Sequence, residues 1–320
     1  MRFHKLDLNL LVVLDALLTT QSVTRAAERV FLSQPATSLA LSRLRDYFKD
    51  DLLQPVGKTM VLTPLAAELA KPVHDVLLQL QAITRIQPSF DPETSTRRFV
   101  IDASDYVIAV LLAEVVRRAT RLAPLMEFDL RARSMQSPEQ LQNDIELLVT
   151  PEFALVAGHP SEQLFEDDFS CLVCAVQYGD AAVLTAEDYF AASHVGVEWG
   201  GGRRQTYDQR LIAVGKRTRR QGVIAPSFTL VPELLVGTPR VATLPTRLAE
   251  LIAKRFPLRV LPCPVEIPSF AEHLQWHKYQ DRDPATIWLR GLLRDVAADL
   301  HRRQHPPGGK AARKPRRKGS

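Results

Sequence analysis

Residues 22–45 read SVTRAAERVFLSQPATSLALSRLR, and this stretch decides the fold of the N-terminal part of the chain. Ser22 can cap a first helix, because a serine hydroxyl accepts a hydrogen bond from a free amide of the first turn. Ser33 can cap a second helix in the same way, and Pro35 falls in the first turn of that helix, where a missing N–H group costs little. The stretch therefore predicts two short helices joined by a tight turn, a helix-turn-helix.

The second of these helices carries small polar side chains at its start. Gln34 can hydrogen-bond to an adenine edge, serine and threonine can bond to most bases, and arginine suits phosphates. The apolar residues Leu39, Leu44 and Phe48 are expected to face inward. The candidate DNA-binding residues are Ser22, Ser33, Gln34, Pro35, Thr37, Ser38, Ser42, Arg43, Arg45 and Lys58. The alternative is a small helical bundle whose polar residues only face solvent.

The flanking residues extend this motif on both sides. Apolar residues between Leu6 and Leu18 recur at steps of three and four, which predicts a preceding helix. Residues 52–56 and 59–62 could form two strands that turn at Gly57 and Lys58, which predicts a wing. Lys58 would then lie at the tip, within reach of the DNA backbone or the minor groove.

Residues 1–64 resemble the winged helix-turn-helix of the LysR-type transcriptional regulators. The motif at 22–45 and the LTP of residues 62–64 carry the resemblance. The opening MRFHKLDLNLLVVLDALL is similar to the branch that includes the NodD and NahR regulators, whose effectors are aromatic compounds. LQWHKYQDRDPATIWLRGLL at 274–293 resembles the same branch. The wing departs from the family pattern, since Gln54-Pro55 stands where a basic residue is usual.

The resemblance implies an α/β protein of three parts: a winged helix-turn-helix at 1–64, a linker helix at 65–88, and an effector domain at 89–300 similar to periplasmic solute-binding proteins. It also implies a homodimer or homotetramer on double-stranded DNA, a small aromatic effector and a contact with RNA polymerase.

The linker repeats apolar residues at steps of three and four, which suits one face of a long helix. These residues are Leu65, Leu69, Val73, Val76, Leu80 and Ile83. Pro72 lies inside the segment and should weaken the helix. We expect the face to pair with its twin in a dimer, so that the DNA site has dyad symmetry. The alternative is a helix that packs on its own domain.

From residue 98 onward, strand patterns alternate with helix patterns, which predicts an open, mostly parallel α/β sheet. We expect one lobe over 96–168 and 266–300 and a second over 169–265, with a ligand cleft between them. Candidate effector contacts lie at strand ends and helix starts, where backbone N–H groups are free. They are Ser104, Asp105, Arg133, Glu198, Phe228, Thr229 and Trp276. Arg133 could hold a carboxylate or phenolate, whereas Trp276 could stack on a ring or belong to the core.

The positive charge is concentrated at the C-terminus. Residues 301–320 read HRRQHPPGGKAARKPRRKGS, and removing their eight positive charges from the total of +5 leaves −3. This tail lacks apolar periodicity, so we expect it to be disordered. It is either an arm that binds phosphates without sequence preference or a solubilising extension.

Composition and missing motifs exclude several other classes of protein. Hydrophobic residues make up 46% and charged residues 24% of the chain, which is ordinary for a globular protein. We find neither a membrane-length apolar run nor a signal peptide, so we expect a cytoplasmic protein. Cys171 and Cys174 should point to opposite faces of a strand and pack in the core, without a metal. No catalytic or cofactor motif stands out, so we expect neither an enzyme nor a cofactor, the alternatives being a ligand-binding module or an enzyme without regulatory DNA function.

Overall fold

The computed structural model describes residues 7–57, 59–84, 90–132, 145–179, 183–197 and 219–304. The chain forms two compact units, Met1–Pro88 and Ser89–Ser320. Lys58, Arg133, Glu198 and the basic tail beyond residue 304 lie outside the described residues.

The first unit is a winged helix-turn-helix, as predicted. Its elements in chain order are α1 (Leu8–Thr20), α2 (Val23–Arg29), α3 (Gln34–Phe48), β1 (Leu53–Val56), β2 (Thr59–Leu62) and α4 (Pro64–Thr84). The two strands pair antiparallel and form the wing. Leu14, Leu17 and Leu44 are fully buried between the helices, and each such side chain stabilises the unit by about 1.5–3 kcal/mol.

The linker helix α4 continues through Pro72 and packs on its own unit. Val73 is buried in the core of the first unit, and Leu69 packs against the same core. The His74 Nδ1 atom lies 3.0 Å from Asp15 Oδ1 on α1 and fixes the packing of the two helices. Val76, in contrast, is exposed. The predicted apolar stripe is therefore divided between the core and the surface. Steps of three and four average 3.5 residues, whereas a straight α-helix has 3.6 residues per turn, so the stripe winds slowly around the helix.

The second unit alternates strands with short helices. Its elements in chain order are β3 (Arg98–Ala103), α5 (Asp105–Val107), a π-helical turn (Ile108–Leu112), α6 (Ala113–Leu122), β4 (Glu127–Ala132), β5 (Leu147–Pro151), β6 (Ser161–Asp167), β7 (Phe169–Cys174), α7 (Ala175–Tyr178), α8 (Ala186–Ala191), β8 (Ser193–Val197), β9 (Arg220–Ala225), α9 (Val231–Leu235), β10 (Val241–Pro245), α10 (Thr246–Ala253), β11 (Leu258–Pro262), β12 (Phe270–Trp276) and α11 (Pro284–Gln304).

These strands build two mixed sheets, one for each lobe. The order is β4-β3-β5-β12-β6 in the first lobe and β11-β7-β10-β8-β9 in the second. The strands β3, β4 and β5 run parallel, as do β8, β9 and β10. However, β12 is antiparallel to both its neighbours, and so is β7. The expectation of mostly parallel sheets was therefore wrong for the strands next to the two crossings between lobes. There the chain passes directly to the other lobe, without the helical crossover that parallel neighbours need.

The two crossings place the lobes side by side. The first is the single residue Asp168, between β6 and β7, and the second is the segment from residue 263 to residue 269. One hydrophobic cluster contains buried residues from both sheets, including Phe99 and Leu244. The two lobes therefore share one hydrophobic core.

Candidate nucleic-acid interface and ligand cleft

One edge of α3 presents polar side chains to solvent. Gln34, Ser38, Ser42 and Arg43 are all exposed, while Ala40, Leu41 and Leu44 face the core. An α-helix of 3.6 residues per turn separates the two sets onto opposite sides. Amide, hydroxyl and guanidinium groups in this arrangement can hydrogen-bond to base edges and phosphates.

Two residues of α3 lie on the side opposite to the one predicted. Thr37 is fully buried, and its hydroxyl donates a hydrogen bond to the Ser33 carbonyl at 3.2 Å. Leu39 is 65% exposed, although a leucine in this helix was expected to face inward. Thr37, Leu41 and Leu44 are spaced four and three residues apart, so they lie on the same side of the helix, whereas Leu39 lies on another side. The structure therefore removes Thr37 from the DNA-facing set and adds an apolar side chain to it.

Arg45 has a different role from the predicted phosphate contact. Its Nε donates to the Asp51 carbonyl at 2.7 Å, and its Nη2 donates to the Leu53 carbonyl at 2.9 Å. The guanidinium is half-buried and joins the end of α3 to the start of the wing. Arg45 is thus a positioning residue for the hairpin.

The turn before α3 orients the exposed edge. The Ser33 hydroxyl accepts a hydrogen bond from the Ala36 amide at 3.3 Å, and Pro35 lies in the first turn, as predicted. The Ser22 hydroxyl caps α2 by accepting from the Arg25 amide at 3.4 Å. Phe31 is 95% exposed and has a φ of +54°, a left-handed conformation that is uncommon for a bulky residue. Sequence reasoning missed Phe31, because nothing in the sequence marks an aromatic residue as exposed.

Four predicted effector contacts come together where the two lobes meet. The Asp105 Oδ2 atom, on the first lobe, accepts a hydrogen bond from the Thr229 amide of the second lobe at 2.8 Å. Ser104 caps the short helix α5 by accepting from the Val107 amide. The Phe228 ring lies 6.3 Å from the Tyr106 ring, edge to face. Polar and aromatic groups of both lobes therefore meet at one point.

Trp276 does not belong to this group of residues. The residue is 3% exposed, and its Nε1 donates to Asp281 Oδ1 at 3.0 Å. The Arg290 guanidinium carbon lies 3.5 Å from the centroid of the Trp276 ring. Since a cation covers the ring and the indole N–H is satisfied, the side chain is not available to stack on an effector. Of the two predicted roles for Trp276, the core role is the one observed.

A buried polar cluster lies where the chain first crosses between lobes. The Tyr106 hydroxyl donates to Asp167 Oδ2 at 2.6 Å, and the Arg247 amide donates to the same oxygen at 3.3 Å. The Arg247 guanidinium donates to the carbonyls of Glu166 and Leu300. Burial raises the pKa of Asp167 to about 6, although the Tyr106 hydroxyl and the Arg247 cation both act to lower it.

Replacing Asp167 with asparagine should change how stability depends on pH. The folded state binds the Asp167 proton more tightly than the unfolded chain, so this stabilisation is fully present below the unfolded pKa of 3.8 and is lost as pH rises through about 6. Between pH 8 and pH 5, the free energy of unfolding of the wild type should rise by about 1 kcal/mol relative to the variant. Urea denaturation at several pH values measures the difference. A constant difference across this range would contradict the buried, protonated carboxyl.

None of the helices in the described ranges is long and apolar enough to cross a membrane. Within the same ranges, no three side chains of histidine, cysteine, aspartate or glutamate cluster in a way that could hold a metal ion.

Two known families match the chain over most of its length. Residues 8–67 match the bacterial regulatory helix-turn-helix proteins of the lysR family. Residues 92–298 match the LysR substrate binding domain. The first match covers the helix-turn-helix and the wing, and the second covers both lobes.

Individual relatives agree with these matches. The chain is 42% identical over 299 residues to Nodulation protein D 2 of Rhizobium tropici, which covers 93% of this chain and 95% of that protein. It is 37% identical over 321 residues to Nodulation protein D of Bradyrhizobium sp. (strain ANU 289), covering 99% and 95% of the two chains. Among solved structures, a probable transcriptional regulator from Pseudomonas aeruginosa is 30% identical, with a TM-score of 0.62, covering 91% of this chain and 97% of that one.

Proposed function

The chain belongs to the LysR family of bacterial DNA-binding transcriptional regulators with an effector-binding domain, and on this premise we propose that a small aromatic effector bound between the two lobes switches its activity. The members of this family are regulators and not enzymes, in agreement with the sequence-based expectation. We propose that the protein acts in the cytoplasm, where its DNA target lies.

We propose that α3 lies in the major groove and reads the operator with its first turns. Gln34 and Ser38 offer hydrogen-bonding groups to base edges, and the exposed Leu39 offers an apolar surface suited to a thymine methyl group. Ser42 and Arg43 lie further along the same edge and suit phosphates. The observation that carries this proposal is the exposed polar edge of α3. Ser22 and Ser33 orient that edge, and Lys58 is the proposed contact of the wing.

A homo-oligomer fits this mode of reading. Two copies related by a two-fold axis would present two α3 helices to successive major grooves, about one helical turn of DNA apart. The operator should therefore be a dyad-symmetric, double-stranded site. The exposed Val76 on α4 is part of the surface that we propose for pairing with a second copy.

We propose that the effector binds beside Asp105 and Thr229. The hydrogen bond between these residues joins the lobes, and the Tyr106 and Phe228 rings lie next to it. An aromatic effector could pack against such rings and exchange hydrogen bonds with the carboxylate. It can switch the protein only if it binds two lobe arrangements unequally. Ser104, Arg133 and Glu198 complete the proposed effector site. A contact between the regulator and RNA polymerase would pass the effect of effector binding on to transcription.

Replacing Asp105 with alanine should loosen the contact between the lobes. The Asp105 carboxylate is an acceptor for the Thr229 amide, and its loss should speed hydrogen exchange of that amide by about 5- to 10-fold, equivalent to about 1 kcal/mol. Ser227→Ala is the matched control, because among the described residues the Ser227 hydroxyl is hydrogen-bonded only to the Thr229 side chain, at 3.3 Å, and not to its amide. Equal exchange in both variants would count against the interlobe bond.

Footprinting of the purified full-length protein tests the proposed function. The DNA probe is the region upstream of neighbouring divergent genes, and the additions are a panel of aromatic acids and phenols. We expect protection of a dyad-symmetric site and a change in its extent with one class of aromatic compound. Protection that no aromatic compound alters would refute the effector class, and protection without sequence preference would refute base reading by α3.

A further inference from the structure

The second lobe places two cysteines on the same side of its sheet. Cys171 on β7 lies opposite Leu261 on β11. Cys263 lies two residues after Leu261, just beyond the end of β11. Residues two apart in an extended segment share a face of the sheet. Cys171 is a buried member of one hydrophobic cluster that also contains Tyr189, and Cys263 packs against the same cluster.

The environments of the two thiols differ. Cys171 is fully buried, whereas Cys263 is partly exposed. The hydrogen bond from Cys171 lowers the pKa of Cys263 to about 7, aided by the Val265 amide and the Arg219 cation and opposed by partial burial. The same hydrogen bond, together with burial, raises the pKa of Cys171. Cys263 is therefore the more accessible of the two thiols and the one with the lower pKa, so we expect it to be the nucleophile.

We propose that Cys171 and Cys263 are a peroxide-sensitive dithiol that closes to an intramolecular disulfide. A reactive, accessible thiol beside a second thiol is the arrangement that reversible oxidation requires. The position of Cys263 also allows closure. It lies just after the last residue of β11, Pro262, so its sulfur can move toward Cys171 without breaking the ladder between β7 and β11.

Hydrogen peroxide is the oxidant. The Cys263 thiolate attacks one peroxide oxygen, the O–O bond breaks, and the leaving hydroxide takes a proton to become water. The Cys171 sulfur then attacks the resulting sulfenic acid at Cys263. The Cys171 proton and the sulfenic hydroxyl leave together as a second water. The two thiols lose two electrons in total, and the peroxide gains them.

Closure would act on the second crossing between the lobes. The segment from residue 263 to residue 269 carries the chain back to the first lobe, so the disulfide would tie the start of that segment to β7. Cys174 provides an internal control, because it lies in the opposite core cluster and accepts a hydrogen bond from the Gly237 amide.

Mass spectrometry of the full-length protein, digested without reductant after treatment with hydrogen peroxide, tests the proposal. We expect a single cross-linked peptide pair joining Cys171 to Cys263, 2 Da lighter than the two reduced peptides and absent after reduction. The Cys174→Ser variant should form it equally. In Cys171→Ser, Cys263 should instead accumulate as a sulfenic acid that dimedone traps.

Alkylation of the wild-type protein gives a second readout that needs no variant. The rate of Cys263 labelling by iodoacetamide should rise about 10-fold between pH 6 and pH 8, with its midpoint near 7, while Cys174 is labelled more slowly at each pH. Absence of the Cys171–Cys263 cross-link at complete peroxide consumption would overturn the proposal. So would labelling of Cys263 with the midpoint of an ordinary thiol, near 8.5.

Discussion

Replacing Leu44 with alanine is expected to destabilise the first unit by about 2–5 kcal/mol, because truncating a fully buried leucine loses transfer free energy and leaves a cavity. Leu44 is 0% exposed and lies on the inner face of α3, against the core of the first unit. Hydrogen exchange of the α3 amides measures the loss without interference from the second unit. Those amides should exchange at least 30-fold faster.

Leu39→Ala is the matched control for this prediction. The substitution removes the same atoms from the same helix, but Leu39 is mostly exposed, so its effect on the free energy of unfolding should stay within about 0.5 kcal/mol. Similar losses in both variants would mean that α3 has the phase expected from sequence alone, with both leucines inside.

Replacing Gln34 with alanine is expected to weaken binding to the specific operator by about 1–3 kcal/mol, or roughly 5- to 150-fold. Gln34 is exposed at the first position of α3, where its amide can bond to an adenine edge. Binding to DNA of unrelated sequence should hardly change, because phosphate contacts supply that affinity. Fluorescence anisotropy at one fixed salt concentration measures both affinities.

The same substitution at Gln163 serves as the control. Gln163 is exposed on β6 of the second unit, and its side chain donates only to Glu166 at 3.2 Å among the contacts described. Gln163→Ala should leave both affinities unchanged. An equal loss of specific and unspecific binding in Gln34→Ala would show that this residue holds the backbone and reads no base.

The helix caps of the first unit could be predicted from the sequence. Which side chains of α3 face the core could not. The caps at Ser22 and Ser33 depend on residues within three positions, which the sequence displays directly. The phase depends on which side chains the other helices accept. Thr37 is tolerated inside because its hydroxyl bonds to a carbonyl of its own helix, which leaves no buried polar group unsatisfied. Residue type alone therefore placed the larger and more apolar Leu39 in the core and Thr37 on the surface, the reverse of the observed arrangement.

In the second unit, the features that could not be predicted depend on contacts between residues far apart in the sequence. The parallel strands were expected from their alternation with helices. In contrast, β6 has the sequence SEQLFED, in which only two of the seven residues are apolar and these two are adjacent, so no alternation marks it as a strand. Asp105 and Thr229 were both proposed as cleft residues, yet their contact joins positions 124 residues apart. The placement of Cys171 and Cys263 on one side of the sheet likewise depends on the register of β7 and β11, which no local pattern displays.

The hydrogen bonds from Arg45 to the backbone at the start of the wing have a consequence for the shape of the bound DNA. Since one guanidinium fixes the hairpin to α3, the two elements move as one body and cannot adjust their spacing to a given duplex. The deformation that joint docking demands then falls on the nucleic acid. We expect the operator to favour flexible pyrimidine–purine steps between the base pairs under α3 and those under the wing, at positions that no side chain touches.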